Sequence, residues 1–174
     1  MKKLFYSFAV VMAMGALLLT SSCKKEEDEP QLKTITETAQ ANSDFSILVQ
    51  ALTRSDLSTN YATVLNGTGP YTVFAPTNAA FQSLLTELNV ASLNDIPAAT
   101  LEEVLKYHVV SGKVLSSQLS NGQEVTTLQG SKFTIGLTGG AKITDGQART
   151  TNITTTDLEC SNGVIHVVDR VLLP

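Results

Sequence analysis

The chain has 174 residues, room for one ordinary domain and an appendage but not for two domains with separate well-filled cores, so a single core is expected. Hydrophobic residues make up 43% and charged residues 16%, a balance that excludes wholesale disorder. The net charge is −4 and no basic cluster lies beyond the first 25 residues, which excludes nucleic acid as a partner because nothing could neutralise a run of phosphates.

Lys2 and Lys3 precede the apolar stretch Leu4–Leu19 and the small residues Thr20, Ser21 and Ser22, the layout of a secretory signal over residues 1–22. As a helix the stretch rises about 24 Å, short of the roughly 30 Å hydrocarbon core, so removal is favoured over a permanent span. Cys23, directly after the small residues, resembles the lipobox of bacterial lipoproteins, whose cysteine is acylated and becomes the first mature residue. Residues 24–30, Lys-Lys-Glu-Glu-Asp-Glu-Pro, have nothing to bury and read as a solvated tether, so that residues 23–31 link anchor to domain. The acidic half of the tether resembles the export signal of Bacteroidetes surface lipoproteins, which implies a place on the outer face of the outer membrane. Loss of Lys2 and Lys3 with the leader takes the net charge from −4 to −6.

Residues 34–65 are helical in character. Phe45, Leu48, Val49 and Leu52 follow the i, i+3, i+4, i+7 rule, with Ser43 and Asp44 as candidate caps. A second helical stretch carries Leu57, Tyr61, Val64 and Leu65 and stops at Gly67-Thr68-Gly69-Pro70. The period then changes. Tyr71–Ala75 is β-prone and ends at Pro76, and Thr77 or Asn78 can cap a helix with an inner stripe of Phe81, Leu84, Leu85 and Leu88. After the turn at Ser92–Asp95, Pro97 suits the first turn of another helix that buries Leu101, Val104, Leu105 and one face of His108.

From Gly112 onward Thr, Val, Ile and Gly dominate. The turn pairs Asn121-Gly122, Gly139-Gly140, Asp145-Gly146 and Asn162-Gly163 separate runs such as Lys132–Leu137 and Thr151–Thr154, which predicts antiparallel sheet. The final run, Val164–Leu173, suits a strand covered on both faces, with Ile165, Val167 and Val171 on one side and Val164, His166 and Val168 on the other. The fold class is therefore α+β over residues 32–174. Cys160 is the one cysteine left once Cys23 is acylated, so no intramolecular disulfide can form, and it reads as core filler in preference to a reactive thiol.

Three segments resemble, in order and spacing, the boxes of the fasciclin (FAS1) domain family. They are Thr72–Phe81, containing Phe74, Pro76, Thr77, Asn78 and Phe81; Leu105–Val110, containing Tyr107 and His108; and Ser161–Pro174, containing Asn162, Gly163 and His166. The resemblance implies an antiparallel β-sandwich or wedge flanked by several helices, and a role in adhesion at a cell surface. It also makes Tyr107 and His108 candidate binding residues, as it does Asp95 and Ile96 of Asn94-Asp95-Ile96-Pro97, although packing for the first pair and helix capping for Asp95 are weighed above contact.

Any acid/base scheme must begin with the two histidines. Neither sits in a catalytic pattern, and His108 reads as a core histidine bonded to a backbone carbonyl or to Asn78. No metal-ligand spacing, calcium loop or nucleophile motif is present, so no enzyme activity, metal or cofactor is expected. The leading expectation is a lipid-anchored surface domain that binds a protein or glycan on a cell, a host matrix or an envelope polymer, touching membrane through its anchor alone. The alternative, a small-ligand or glycan-binding accessory lipoprotein of a nutrient-uptake system, calls for an aromatic-lined site, against which the chain has no Trp and 6% aromatics.

Overall fold

The computed structural model describes residues 31–174; the leader, Cys23 and residues 24–30 lie outside the described residues. Helix α1 (Ile35–Ala41) opens on a capping box, the Thr34 hydroxyl accepting from the Glu37 amide and the Glu37 carboxylate from the Thr34 amide. Ser43 and Asp44 do not cap the second helix. They lie inside a 3-10 turn, Ser43–Phe45, started by the Asn42 side chain, and helix α2 (Ser46–Leu52) has no cap of its own. A single turn of helix, α3 (Tyr61–Leu65), is capped by Asn60 and is shorter than the sequence pattern suggests, since residues 53–60 form a loop.

Strand β1 (Tyr71–Pro76) leads into helix α4 (Asn78–Glu87), whose cap is Thr77, accepting from the Ala80 amide. Phe81 and Leu84 are buried as expected, but the helix ends at Glu87 and Leu88 turns to solvent, 46% exposed. Helix α5 (Ala98–Tyr107) starts after Pro97 and buries Leu101, Val104 and Leu105. The remaining elements are strands: β2 (Val109–Ser111), β3 (Glu124–Thr126), β4 (Lys132–Gly136), β5 (Lys142–Thr144), β6 (Thr150–Cys160) and β7 (Gly163–Val168).

The strands run in the order β2-β1-β7-β6-β5-β4-β3. All neighbours are antiparallel except β1 and β7, which pair in parallel from Tyr71 opposite Gly163 to Pro76 opposite Val168. Every residue of β7 is buried, which matches its unbroken apolar sequence and its coverage on both faces. Strand β6 serves two neighbours in turn, β5 with its first residues and β7 with its last. Register shifts around Thr155, and a left-handed backbone at Asp157 with φ 59°, mark where it bends.

The single core expected from chain length is two apolar layers, one on each face of the β1–β7 pair. Helices α1 to α5 pack Phe45, Leu65, Phe81 and Leu101 against Val73, Ala75, Ile165 and Val167 on one side. On the other, β3 to β6 fold over, so that Phe133, Ile135 and Ile143 meet Phe74, Tyr107 and Val168. The alternation along a strand makes this possible, because successive side chains of β1 and β7 serve opposite layers. The last strand also stops earlier than its apolar run. At Asp169 the chain leaves the sheet, and the segment 169–174 crosses the end of the fold with Val171 in the helical layer and Leu172 in the other.

Candidate functional site

The Tyr-His box closes α5. Tyr107 is fully buried, its hydroxyl donating to the Lys132 carbonyl at 2.8 Å and accepting from the Gly146 amide at 3.0 Å, while its ring packs edge-on against Phe133. His108 donates from Nδ1 to the Val104 carbonyl at 2.7 Å, one helical turn back, and accepts at Nε2 from the Leu172 amide at 2.9 Å. The backbone partner is a carbonyl, one of the two alternatives open at sequence level. Asn78 is elsewhere. Burial pushes the His108 imidazole down to about 4, so the ring is neutral at physiological pH with its proton on Nδ1.

His166 has the opposite tautomer. It accepts at Nδ1 from the Asp157 amide and donates from Nε2 to the Val114 carbonyl at 2.9 Å, with its ring against Phe74. Ser116 is close by, and the three residue types of a hydrolytic triad therefore meet here, but they are wired differently. The Asp157 carboxylate takes the Ser116 hydroxyl and the Ser116 amide, and the histidine is spent on two backbone groups. The imidazole does not face the serine, so the serine–histidine pair of a triad is not made, and the cluster ties the bend of β6 to the 3-10 turn Ser116–Gln118.

Of the four candidate binding residues, only Asp95 lies at the surface. Tyr107, His108 and Ile96 are at most 4% exposed, so in the folded domain none of these three side chains can meet a partner. The burial follows from their place on inward faces of α5 and of the turn before it. Asp95 accepts from the amide and hydroxyl of Ser92, closing the short turn Leu93–Asp95 in the capping role expected of it. That turn is held from outside by Arg54, a residue that no sequence pattern singled out. Its Nη1 donates to the carbonyls of Leu93 and Ile96, and its other nitrogens grip Asp56. Glu102 secures the same loop by accepting from the amide and hydroxyl of Ser58, and these bonds hold its carboxyl below the usual range.

The motif residues act structurally. Phe74 stacks edge-on against Phe133, Pro76 ends β1, Thr77 caps α4 and Phe81 fills the helical layer. Asn78 projects backward from its own helix to cap α2, its Oδ1 accepting from the Ile47 amide at 2.9 Å and its Nδ2 donating to the Ser43 carbonyl. Asn162 joins three separate segments, and Gly163 packs so close to β1 that a Cβ would collide with the Tyr71 carbonyl oxygen. Cys160 is buried against Thr38, and burial pushes its thiol up, which suits the core role. Asp145 is a further node, which the sequence marks only as the start of a turn. Burial pushes its carboxyl up, but bonds from Arg149 and from the amides of Arg149 and Leu173 outweigh this and hold it low.

Among the described residues no group of three or more His, Cys, Asp or Glu could hold a metal ion, and no helix is long and apolar enough to cross a membrane. An open concavity of about 420 Å³ beside α1 is lined by Lys33, Glu37, Gln40 and Ala41, without an aromatic side chain.

An α+β domain of helices packed on a parallel pair inside an otherwise antiparallel sheet, with its histidines bonded internally, is an architecture of the fasciclin type. The chain belongs to the fasciclin domain family, whose model it matches over residues 43–174. It is 40% identical over 143 residues to the Synechocystis protein sll1483, covering 81% of this chain and 73% of that one. It is 32% identical over 139 residues to the cell surface glycolipoprotein MPB83 of Mycobacterium bovis, covering 78% and 58%. The fold matches a FAS1 domain pair from the insect cell adhesion molecule fasciclin I with a TM-score of 0.68 at 19% identity; the match covers 83% of this chain and 52% of that one, about half its length.

Proposed function

We propose that the chain is a surface-displayed, lipid-anchored adhesion domain that binds a protein or glycan on a neighbouring cell, a host matrix or an envelope polymer. The observation that carries this reading is the internal use of the reactive groups. Both histidines, Tyr107 and the buried cysteine are consumed by packing and backbone bonds, so what the domain offers a partner is shape and exposed polar loops. Its likeness to a cell surface glycolipoprotein and to a cell adhesion molecule supports the same reading. The domain occupies residues 32–174, with residues 1–22 as leader and Cys23 as the acylated residue. From Cys23 the tether to residue 31 spans at most about 28 Å when extended, so each domain stands close to its membrane and many copies act together. The most direct contact residue is Asp95, on the turn clamped by Arg54.

Cells or vesicles bearing the mature acylated chain, challenged with envelope and matrix preparations, test the proposal. Specific retention that survives His108→Gln and weakens with Asp95→Asn supports it. An unmodified amino terminus by mass spectrometry removes the anchor, and absence of retention on every surface removes the adhesion.

A further inference from the structure

We propose that the segment 169–174 is an acid-released latch, with His108 Nε2 as its trigger, that opens while the seven-stranded sheet stays folded. The segment adds no strand to the sheet and is held across the end of the domain by other elements. The Leu172 amide donates to His108 Nε2 at 2.9 Å and the Leu173 amide to Asp145 Oδ2 at 3.1 Å, so two consecutive N–H groups rest on titratable acceptors. The carbonyls of Val171 and Leu173 accept from Arg149 Nη2 and the Gly146 amide, and that of Pro174 from Gln147 Nε2. Because Val171 lies in one apolar layer and Leu172 in the other, lifting the segment unseals both.

The tautomer sets the trigger. Nδ1 of His108 is committed to the Val104 carbonyl, so a second proton can go only to Nε2, the atom that accepts from Leu172. Two N–H groups would then face each other in a site without water access, so above the folded ring's own value of about 4 the proton is taken up as the segment leaves. The surrounding charges do not prevent this. Asp145 in the β5–β6 turn favours the imidazolium and Arg149 beside it opposes it, with burial the largest influence. Glu87 of α4 is engaged with Arg149 and with Arg170 of the segment itself, and Tyr107 of α5 is bonded to backbone. Each opening that returns the ring to water therefore captures a proton, and the open population grows tenfold per pH unit below about 6.5 until the folded ring itself titrates. From well above pH 6.5 to well below 4 the total is on the order of 300-fold.

Amide hydrogen exchange on the full chain from pH 7 to 4, corrected for intrinsic rates, tests the latch. The Leu172 amide is expected to exchange through a smaller opening than the β7 amides of Val164–Val168, with protection falling about tenfold per pH unit in that window. In His108→Gln, whose side-chain oxygen can still accept from Leu172, the fall disappears. The latch is overturned if Leu172 and β7 share one protection at every pH, if Leu172 protection is independent of pH, or if the slope survives the substitution. Should the variant fail to fold, the wild-type protein alone decides through the first two outcomes.

Discussion

The Ile35 amide at the start of α1 donates to the side-chain oxygen of Asn162, 127 residues further along, at 2.9 Å. The same asparagine donates from Nδ2 to the carbonyls of Leu65 and Gly67, so one buried side chain ties the first helix and the end of α3 to the β6–β7 turn.

Asn162→Ala leaves an amide and two carbonyls without their partner in a buried place. The expected cost is about 3 kcal/mol, three bonds at roughly 1 kcal/mol each, and Asn162→Asp recovers only the Ile35 bond. Urea unfolding at neutral pH measures it, and an alanine variant within about 0.5 kcal/mol of the parent would contradict the role.

Gly163→Ala drives a methyl group into the Tyr71 carbonyl oxygen and to 2.8 Å from Ile35 Cδ1. Backbone cannot yield there as a flexible side chain can, so β1 and β7 must separate, at a cost of about 3 kcal/mol or more. A lowered midpoint together with lost amide protection in β1 is the expected result; wild-type protection at Val73 would contradict it.

The Thr151 hydroxyl is buried without a hydrogen-bond partner among the described residues, opposite Ile143 on the face that also holds Ile153. Thr151→Val keeps the shape and removes the unpaired group. Stabilisation of about 1 kcal/mol is expected, seen as a urea midpoint raised by roughly 0.5 M at unchanged slope. A destabilised valine variant would show that the hydroxyl is satisfied after all.

His108 also makes overall stability depend on pH. Its folded value of about 4 lies below the unfolded value of 6.5, so between the two the unfolded chain holds more protons. Stability from this residue is complete above pH 6.5 and is lost as pH falls to about 4, at roughly 1.4 kcal/mol per pH unit. His108→Gln removes that slope from denaturation curves measured between pH 7 and 4, and an unchanged slope would assign the dependence to the carboxylates.

What the sequence made legible was local. Thr77 as a cap, the apolar stripes of α4 and α5, the β-prone run of β1 and the Asn162-Gly163 turn all depend on residues a few positions apart, where propensity and period decide. The departures come from distant partners. Asn78 serves α2 because Ile47 lies beside it in space, and Ser43 and Asp44 are taken up in the 3-10 turn that Asn42 starts. Strand β7 ends at Val168, inside a continuous apolar run, because Asp169 turns to accept from the amide and side chain of Asn152. Arg54 carries no local motif, and Asp145 is marked only as part of a turn pair; the distant carbonyls of Leu93 and Ile96 and the Leu173 amide, brought to them by tertiary packing, reveal the rest of their work. The candidate binding site was correspondingly uncertain at sequence level: Tyr107 and Asp95 look equally polar in a string of letters, and burial alone separates them.

The parallel pairing of β1 with β7 also governs when the molecule can come together. A chain emerging from its amino terminus exposes Tyr71 long before Gly163 exists, and the ends of that long loop must meet before the middle of the sheet is closed. The middle of the sheet therefore cannot close until the β7 residues have joined the chain, and the helices and β2 to β6 must wait with one edge of β1 unpaired.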